Sequence, residues 1–191
     1  MKMKLIRFSV YPETISETLF KNVTNCKLPC SKPASGGLWA SPYISTDEVN
    51  PYYPYLSDWE RFCATECKDY PEYRNYYSIF EINSDNIALI DSFDDYLKLI
   101  NECPHIFYDY IGLNFEKISQ KYDAIYLTKK GQLECNKLDP TIVHYNGKKY
   151  EDQCALHSWD CESLLIFNLT NITVSSYGIF RNSQEYICCS V

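Results

Sequence analysis

From Lys4 to Tyr11 apolar and polar positions alternate, with Ile6, Phe8 and Val10 on one side and Leu5, Arg7, Ser9 and Tyr11 on the other. A period of two predicts a β-strand with an apolar back, and it turns Arg7 away from that back. Pro12 to Ser35 mixes polar and turn residues and leaves room for one short helix around Ile15 to Asn22. Gly36-Gly37 then precedes Leu38-Trp39-Ala40-Ser41, closed by Pro42, which predicts a short strand entered through a tight backbone turn. Asn50 to Tyr55 reads as a loop. Ser57-Asp58-Trp59-Glu60 is a capping box, and Trp59, Phe62, Cys63 and Thr65 follow at helical spacing, so a helix begins there.

Tyr77 to Ile82 and Ile87 to Ile90 are β-type runs separated by Asn83-Ser84-Asp85-Asn86, either a hairpin or two sequential strands. Ser92 caps a helix whose apolar stripe is Phe93, Tyr96, Leu97 and Ile100. A further short helix is expected over Leu113 to Tyr122 and a strand over Ala124 to Leu127. Ser163 to Asn168 is a nearly continuous apolar strand, and Asn171 to Ser175 starts another after a turn. Strands outnumber helices, and the helices fall between the early and late strands, the pattern of an α+β domain. At 191 residues the chain is expected to form a single domain, 1–191, that buries roughly 70% of its unfolded surface without staples.

Charge and cysteine content narrow the partners. The net charge of −7 and the pI near 5.0 disfavour broad nucleic-acid binding, which needs clustered Lys and Arg. The longest basic groups, Lys129-Lys130 and Lys148-Lys149, make no patch. No apolar run approaches the roughly 18 residues of a membrane span. Arg7 follows only Leu5 and Ile6, which leaves no apolar core for an export signal, so a cytoplasmic location is expected and with it free thiols. Cys26/Cys30 and Cys63/Cys67 have CxxxC rather than CxxC spacing, and His105, His144 and His157 are not spaced as HxxxH, so no metal site is expected. The ten cysteines then read as small buried hydrophobes. The sequons at Asn22, Asn168 and Asn171 read as turn residues.

Three pieces carry candidate chemistry: Arg7 on the first strand, the Gly37-Leu38-Trp39-Ala40-Ser41 turn and strand, and Asp160-Cys161-Glu162 ahead of the late apolar strand. Taken singly, each has an ordinary explanation as an ion-pair partner, a core residue or a solvated strand edge. Their order resembles the ADP-ribosyltransferase fold family, whose toxin-like branch has an Arg on the first strand, a Tyr/Trp-x-Ser or Ser-Thr-Ser segment on the second, and a Glu-x-Glu or Gln-x-Glu motif entering a late strand. The chain is also similar to phage and bacterial sequences of that type in Lys32-Pro33, Gly37-Leu38-Trp39, Ser41, Trp59 with Phe62, Tyr122-Asp123-Ala124-Ile125 and Trp159-Asp160-Cys161-Glu162-Ser163. The likeness spans most of the chain in short motifs. It departs from the family where Asp160 replaces Glu or Gln and where Trp-Ala-Ser replaces Ser-Thr-Ser.

The resemblance implies a split β-sheet core with helices between early and late strands. It also implies NAD-dependent mono-ADP-ribosyl transfer, with NAD as substrate. The acceptor would be macromolecular, a protein rather than a nucleic acid, in a phage or bacterial conflict and in the host cytoplasm if the chain is viral. Cleaving the nicotinamide–ribose bond passes through an oxocarbenium-like state, which a carboxylate stabilises; Glu162 takes that role. Arg7 would pair with the diphosphate through its fork. Gly37 and Leu38 would let the backbone approach the nicotinamide amide while Trp39 packs on a ring. Ser41 would hold the catalytic carboxylate, and Asp160, on the same strand face as Glu162, would orient or deprotonate the acceptor.

Two other functions compete. A thiol hydrolase or transferase would pair one of the ten cysteines with His144 or His157; Cys154 and Cys161 lie near His157 in sequence, but none of these cysteines follows a glycine-rich turn at a helix start. A non-catalytic protein on the same fold would inhibit a partner by surface contact, and the 18 tyrosines and acidic balance suit such an interface.

Overall fold

The computed structural model describes residues 1–191 except 13–14, 16–19, 46, 50–51, 53, 71–73, 137–139, 153–154, 182–184 and 191, and from 180 onward it describes the course of the backbone alone. In chain order the elements are β1 (Lys2–Ser9), β2 (Leu38–Pro42), α1 (Asp58–Thr65), β3 (Tyr76–Asn83), β4 (Ile87–Ile90), α2 (Phe93–Glu102), β5 (Pro104–Phe107) and β6 (Tyr110–Leu113). There follow α3 (Phe115–Lys121), β7 (Ala124–Leu127), α4 (Lys129–Cys135), β8 (Thr141–Tyr145), β9 (Lys148–Asp152), β10 (Ser163–Ile166), β11 (Ile172–Arg181) and β12 (Glu185–Ser190). The chain is therefore mixed α+β, and among the described residues every helix lies between β2 and β10, as the hydrophobic pattern predicts. It divides into two compact units, one of Met1–Phe20, Trp39–Asp85 and Leu169–Val191, the other of Lys21–Leu38 and Asn86–Asn168. Among the described residues no helix is long and apolar enough to cross a membrane.

In the first unit the strands are antiparallel in the order β12-β11-β3-β1-β2. Flanked on both sides, β1 is a central strand, and this changes its burial: Leu5, expected on the polar side with Arg7, is as fully buried as Ile6. The strand also begins and ends two residues earlier than the alternation suggests, leaving Tyr11 outside and exposed. Ile6 lies opposite Ile79 and Phe8 opposite Tyr77. These four, with Leu56, form a core cluster against which Tyr43, Val49 and Trp59 pack. Burying each such side chain contributes about 1.5–3 kcal/mol before the entropy of ordering it. The expected short helix around Ile15 to Asn22 falls mostly outside the described residues.

The capping box at α1 forms in a shifted version. Ser57 Oγ accepts from the Glu60 amide at 3.1 Å, while Glu60 Oε2 accepts from the amide of Leu56, at 2.7 Å, rather than from the cap's own. Glu60 is thereby drawn fully inside, and burial raises its pKa against the lowering effects of the Leu56 amide and of Arg74.

β4 belongs to the second unit, which settles the open choice between hairpin and sequential strands. β3 pairs with β1 and β11, whereas β4 runs parallel to β7. β10 pairs antiparallel with the other edge of β7, and every residue of β10 is buried. A second, four-stranded sheet in this unit has the order β5-β6-β9-β8. Helix α2 starts at Ser92 as expected, but its buried residues are Tyr96, Leu99 and Ile100, so Leu99 takes the place expected for Leu97. It packs on β4, β5, β6 and α4. Tyr96 is buried with its hydroxyl on Asp152 Oδ2 at 2.9 Å, and Asp152 Oδ1 accepts from the Ala155 amide at 3.1 Å. The helix expected from Leu113 is trimmed to α3, because Leu113 closes β6 and Asn114 caps.

The raised pKa of Glu60 has a defined sign. Its folded form holds the proton more tightly than the unfolded chain, so its contribution to stability falls as pH rises upward from about 4.5 through the folded value. Relative to Glu60→Gln, the unaltered protein should lose stability across that range in urea titrations run at several pH values. A difference between the two that is constant with pH would refute this.

Candidate functional site

All four positions of β10 face protein, so the nearest carboxylate that can meet a ligand is the one just before it, Glu162. Asp160, Cys161 and Glu162 lie just ahead of β10, where the sequence pattern puts them, and Cys161 and Glu162 form a bend. The local cause is Ser163, whose hydroxyl donates to the carbonyl of Cys161 at 2.8 Å and so offers the backbone a turn in place of a ladder bond. Cys161 points inward and is 1% exposed, with Sγ 3.4 Å from Ser163 Oγ. A thiol so enclosed is not presented as a nucleophile. Cys154, the other cysteine weighed for that role, lies outside the described residues.

Glu162 is half-buried and its Oε1 accepts a hydrogen bond from the hydroxyl of Tyr126. Tyr126 stands on β7 directly opposite Leu164 of β10 and Leu89 of β4. Glu162 is two residues ahead of Leu164, so the phenol reaches it along the diagonal between neighbouring strands. Burial, then the bond to Glu162, raises the pKa of Tyr126 far above that of a free phenol, with a smaller push from the charge of Asp91. Asp91 follows β4 and Thr128 follows β7, at the carboxyl ends of the two parallel strands. Thr128 Oγ1 donates to Asp91 Oδ1 at 2.6 Å and Lys130 Nζ lies 3.2 Å from Oδ2, which holds the Asp91 carboxyl below its ordinary pKa. Thr128 also caps α4, accepting from the Gly131 amide at 3.0 Å.

The bend is anchored from behind. Trp159 is 1% exposed and its indole donates to the carbonyl of Ser31 at 2.6 Å, while the hydroxyls of Ser31 and Ser158 share a hydrogen bond. One residue on, exposed Asp160 meets Lys32 at 3.5 Å. This tie joins Lys32 of the early motif to Asp160 of the late one, but as a surface ion pair it contributes at most about 1 kcal/mol. The turn into β2 belongs to the same unit. Gly36 and Gly37 adopt φ of +85° and +73°, and Gly37 lies against Leu165 of β10. Leu38, half-buried, starts β2.

In the first unit Arg7, Trp39 and Ser41 come together on β1 and β2. Ser41 is 1% exposed and opposite Ile6, and Arg7 Nη1 donates to the carbonyl of Trp39 at 3.3 Å. Arg7 and Trp39 are both half-buried. Tyr126 was missed as a site residue from sequence. It sits in the short run Ala124 to Leu127, where only the pairing of β7 with β10 reveals which carboxylate it meets. Asp123, quoted within a motif, instead secures the far end of β10, accepting from Asn168 Nδ2 at 3.0 Å, and its carbonyl accepts from the Phe167 amide at 2.7 Å. That gives the sequon residue Asn168 a structural task.

Compared with protein-family models, with curated proteins and with solved structures, the chain has no significant match.

The two glycines differ in what a side chain would meet. A Cβ on Gly36 would fall 2.2 Å from the Asn22 carbonyl oxygen, whereas on Gly37 it would fall 2.5 Å from the movable Cδ1 of Leu165. Both alanine variants carry about 1–2 kcal/mol of left-handed strain, and Gly36→Ala must also displace backbone. Thermal denaturation should therefore rank Gly36→Ala clearly below Gly37→Ala; equal midpoints would contradict the turn geometry.

Proposed function

We propose that the chain is an NAD-dependent mono-ADP-ribosyltransferase acting on a macromolecule, with Glu162 as its catalytic carboxylate. The observation that carries this is the placement of Glu162: a half-buried carboxylate at the entry to a fully buried strand, fixed by a phenol rather than left in solvent. Support also comes from the bend itself, where the late motif is tied back to the early one through Trp159 with Ser31 and Asp160 with Lys32. An ADP-ribosyltransferase-like split sheet accords with the antiparallel first unit carrying Arg7 and Trp39-Ala40-Ser41, and with Glu162 at the entry to β10 beside Tyr126 on β7.

In this chemistry the bond between C1′ of the ribose and the nicotinamide nitrogen breaks, and the nicotinamide leaves neutral with the bonding pair. The acceptor nucleophile attacks C1′ and gives up its proton. Positive charge builds on the ribose before the new bond is complete, and the Glu162 carboxylate stabilises it and fixes the ribose hydroxyls. Arg7 would pair with the diphosphate through its guanidinium. On the family resemblance, Gly37, Leu38 and Trp39 would receive the nicotinamide amide and ring. Asp160, exposed and paired with Lys32, would orient the acceptor. A protein acceptor suits the net charge of −7 better than a nucleic acid does.

A second function, inhibition of a partner protein by contact, is favoured by one surface. On the β5-β6-β9-β8 sheet, Ile142 and Tyr110 are exposed and flank the half-buried Glu151, with Tyr108 81% exposed beside Phe107. Large exposed aromatics of this kind suit an interface.

Labelled NAD incubated with the protein and a cell lysate separates the two. Transfer of label that is lost in Glu162→Gln by about 10²-fold or more, with NAD affinity changed little, supports the transferase. No transfer and no NAD cleavage by the folded protein would sink it. Arg7→Ala should instead weaken NAD binding by about tenfold or more in calorimetry, the effect of losing a charge-assisted contact; unchanged affinity would remove Arg7 from the diphosphate.

A further inference from the structure

We propose that Tyr126 is the positioning residue of the carboxylate site, its hydroxyl holding Glu162 in the orientation that transfer requires. This rests on the function proposed above and adds to it a residue that the motif resemblance does not include. Three observations carry it. The hydroxyl donates to Glu162 Oε1 from a half-buried ring. The strand that carries the ring is fixed in register, because β7 is paired on both sides, with Leu89 and Leu164 directly opposite Tyr126. The bend carrying Glu162 is itself fixed, by Ser163 on Cys161 and by the buried indole of Trp159. A carboxylate on a flexible two-carbon stem thus gains a rigid partner on one oxygen, and a rigid element is what a catalytic group needs beneath it.

The phenol is also suited to the task chemically. Its proton is held well beyond the ordinary range of tyrosine by burial and by Glu162, so it remains a donor throughout neutral pH. Lys130 and Thr128 engage Asp91, the nearby carboxylate that adds to this effect.

The test compares Tyr126→Phe, which removes one oxygen and keeps the ring, with Glu162→Gln. In protein labelled with 13C at the tyrosine Cζ, the resonance that vanishes in Tyr126→Phe should shift in Glu162→Gln and should titrate later than the other resolved tyrosines. With NAD, Tyr126→Phe should lose about 10- to 100-fold in kcat while KM changes less than about twofold, because misplacing a reacting group by 1 Å costs on this scale. An unshifted resonance in Glu162→Gln overturns the pairing whatever the activity. A shifted resonance with equal kcat in Tyr126→Phe and the unaltered enzyme overturns the positioning role alone. A shifted resonance with no NAD cleavage by the unaltered protein overturns the transferase and the positioning role together. If Tyr126→Phe does not fold, the tyrosine resonance that titrates last marks Tyr126 instead, and its shift in Glu162→Gln supports the pairing while an unshifted position overturns it.

Discussion

A carboxylate at the threshold of a fully buried strand has to be held by something, and in this chain the hold is the hydroxyl of Tyr126. The contact depends on register. β7 sits between a parallel neighbour, β4, and an antiparallel one, β10, and this places Tyr126 opposite Leu164 and diagonal to Glu162. A slip by one residue would turn the phenol to the other face and leave Glu162 unsupported. Several features that look independent fix that register. Asp123 secures the end of β10 through Asn168 and Phe167, and Gly131 lets α4 lie against the end of β4, where a Cβ would fall 2.1 Å from the Ile90 carbonyl oxygen.

Much of the core was legible because it obeys simple periods. Ser57 and Ser92 announce α1 and α2, Gly36-Gly37 and Pro42 bracket β2, and the apolar run at Ser163 marks β10. The hairpin of β8 and β9 was not read, although Asn146-Gly147, with φ of 48° and 75°, is the turn signal a two-residue hairpin uses. That signal was present and was missed. The hairpin of β5 and β6 was different: Tyr108 takes φ of 52° without an Asn or Gly, so local chemistry does not announce the turn and tertiary packing imposes it. Helix α4 was hidden for a third reason, since Gly131 weakens its propensity where the close approach to Ile90 requires it.

The site shows the same division. Glu162, Asp160, Arg7 and Trp39 can be singled out from residue type and order, but strand pairing alone brings Tyr126 to Glu162, across 36 residues of chain. Over the late motif Asp160 is exposed and meets Lys32, Cys161 is buried and Glu162 is half-buried, the alternation that a period of two leads one to expect. Cysteine content proved less informative than its count suggests. Cys63, Cys103, Cys135 and Cys161 are buried, and burial pushes the Cys103 thiol further from ionising. They pack as small apolar groups.

The proposed function therefore stands on one carboxylate and the structure that aims it. Release of free nicotinamide from NAD by the purified protein tests it most directly, since it needs no knowledge of the acceptor. Release above the background of water, abolished in a folded Glu162→Gln variant, is the result predicted. Release at the background rate, unchanged by that substitution, would contradict it.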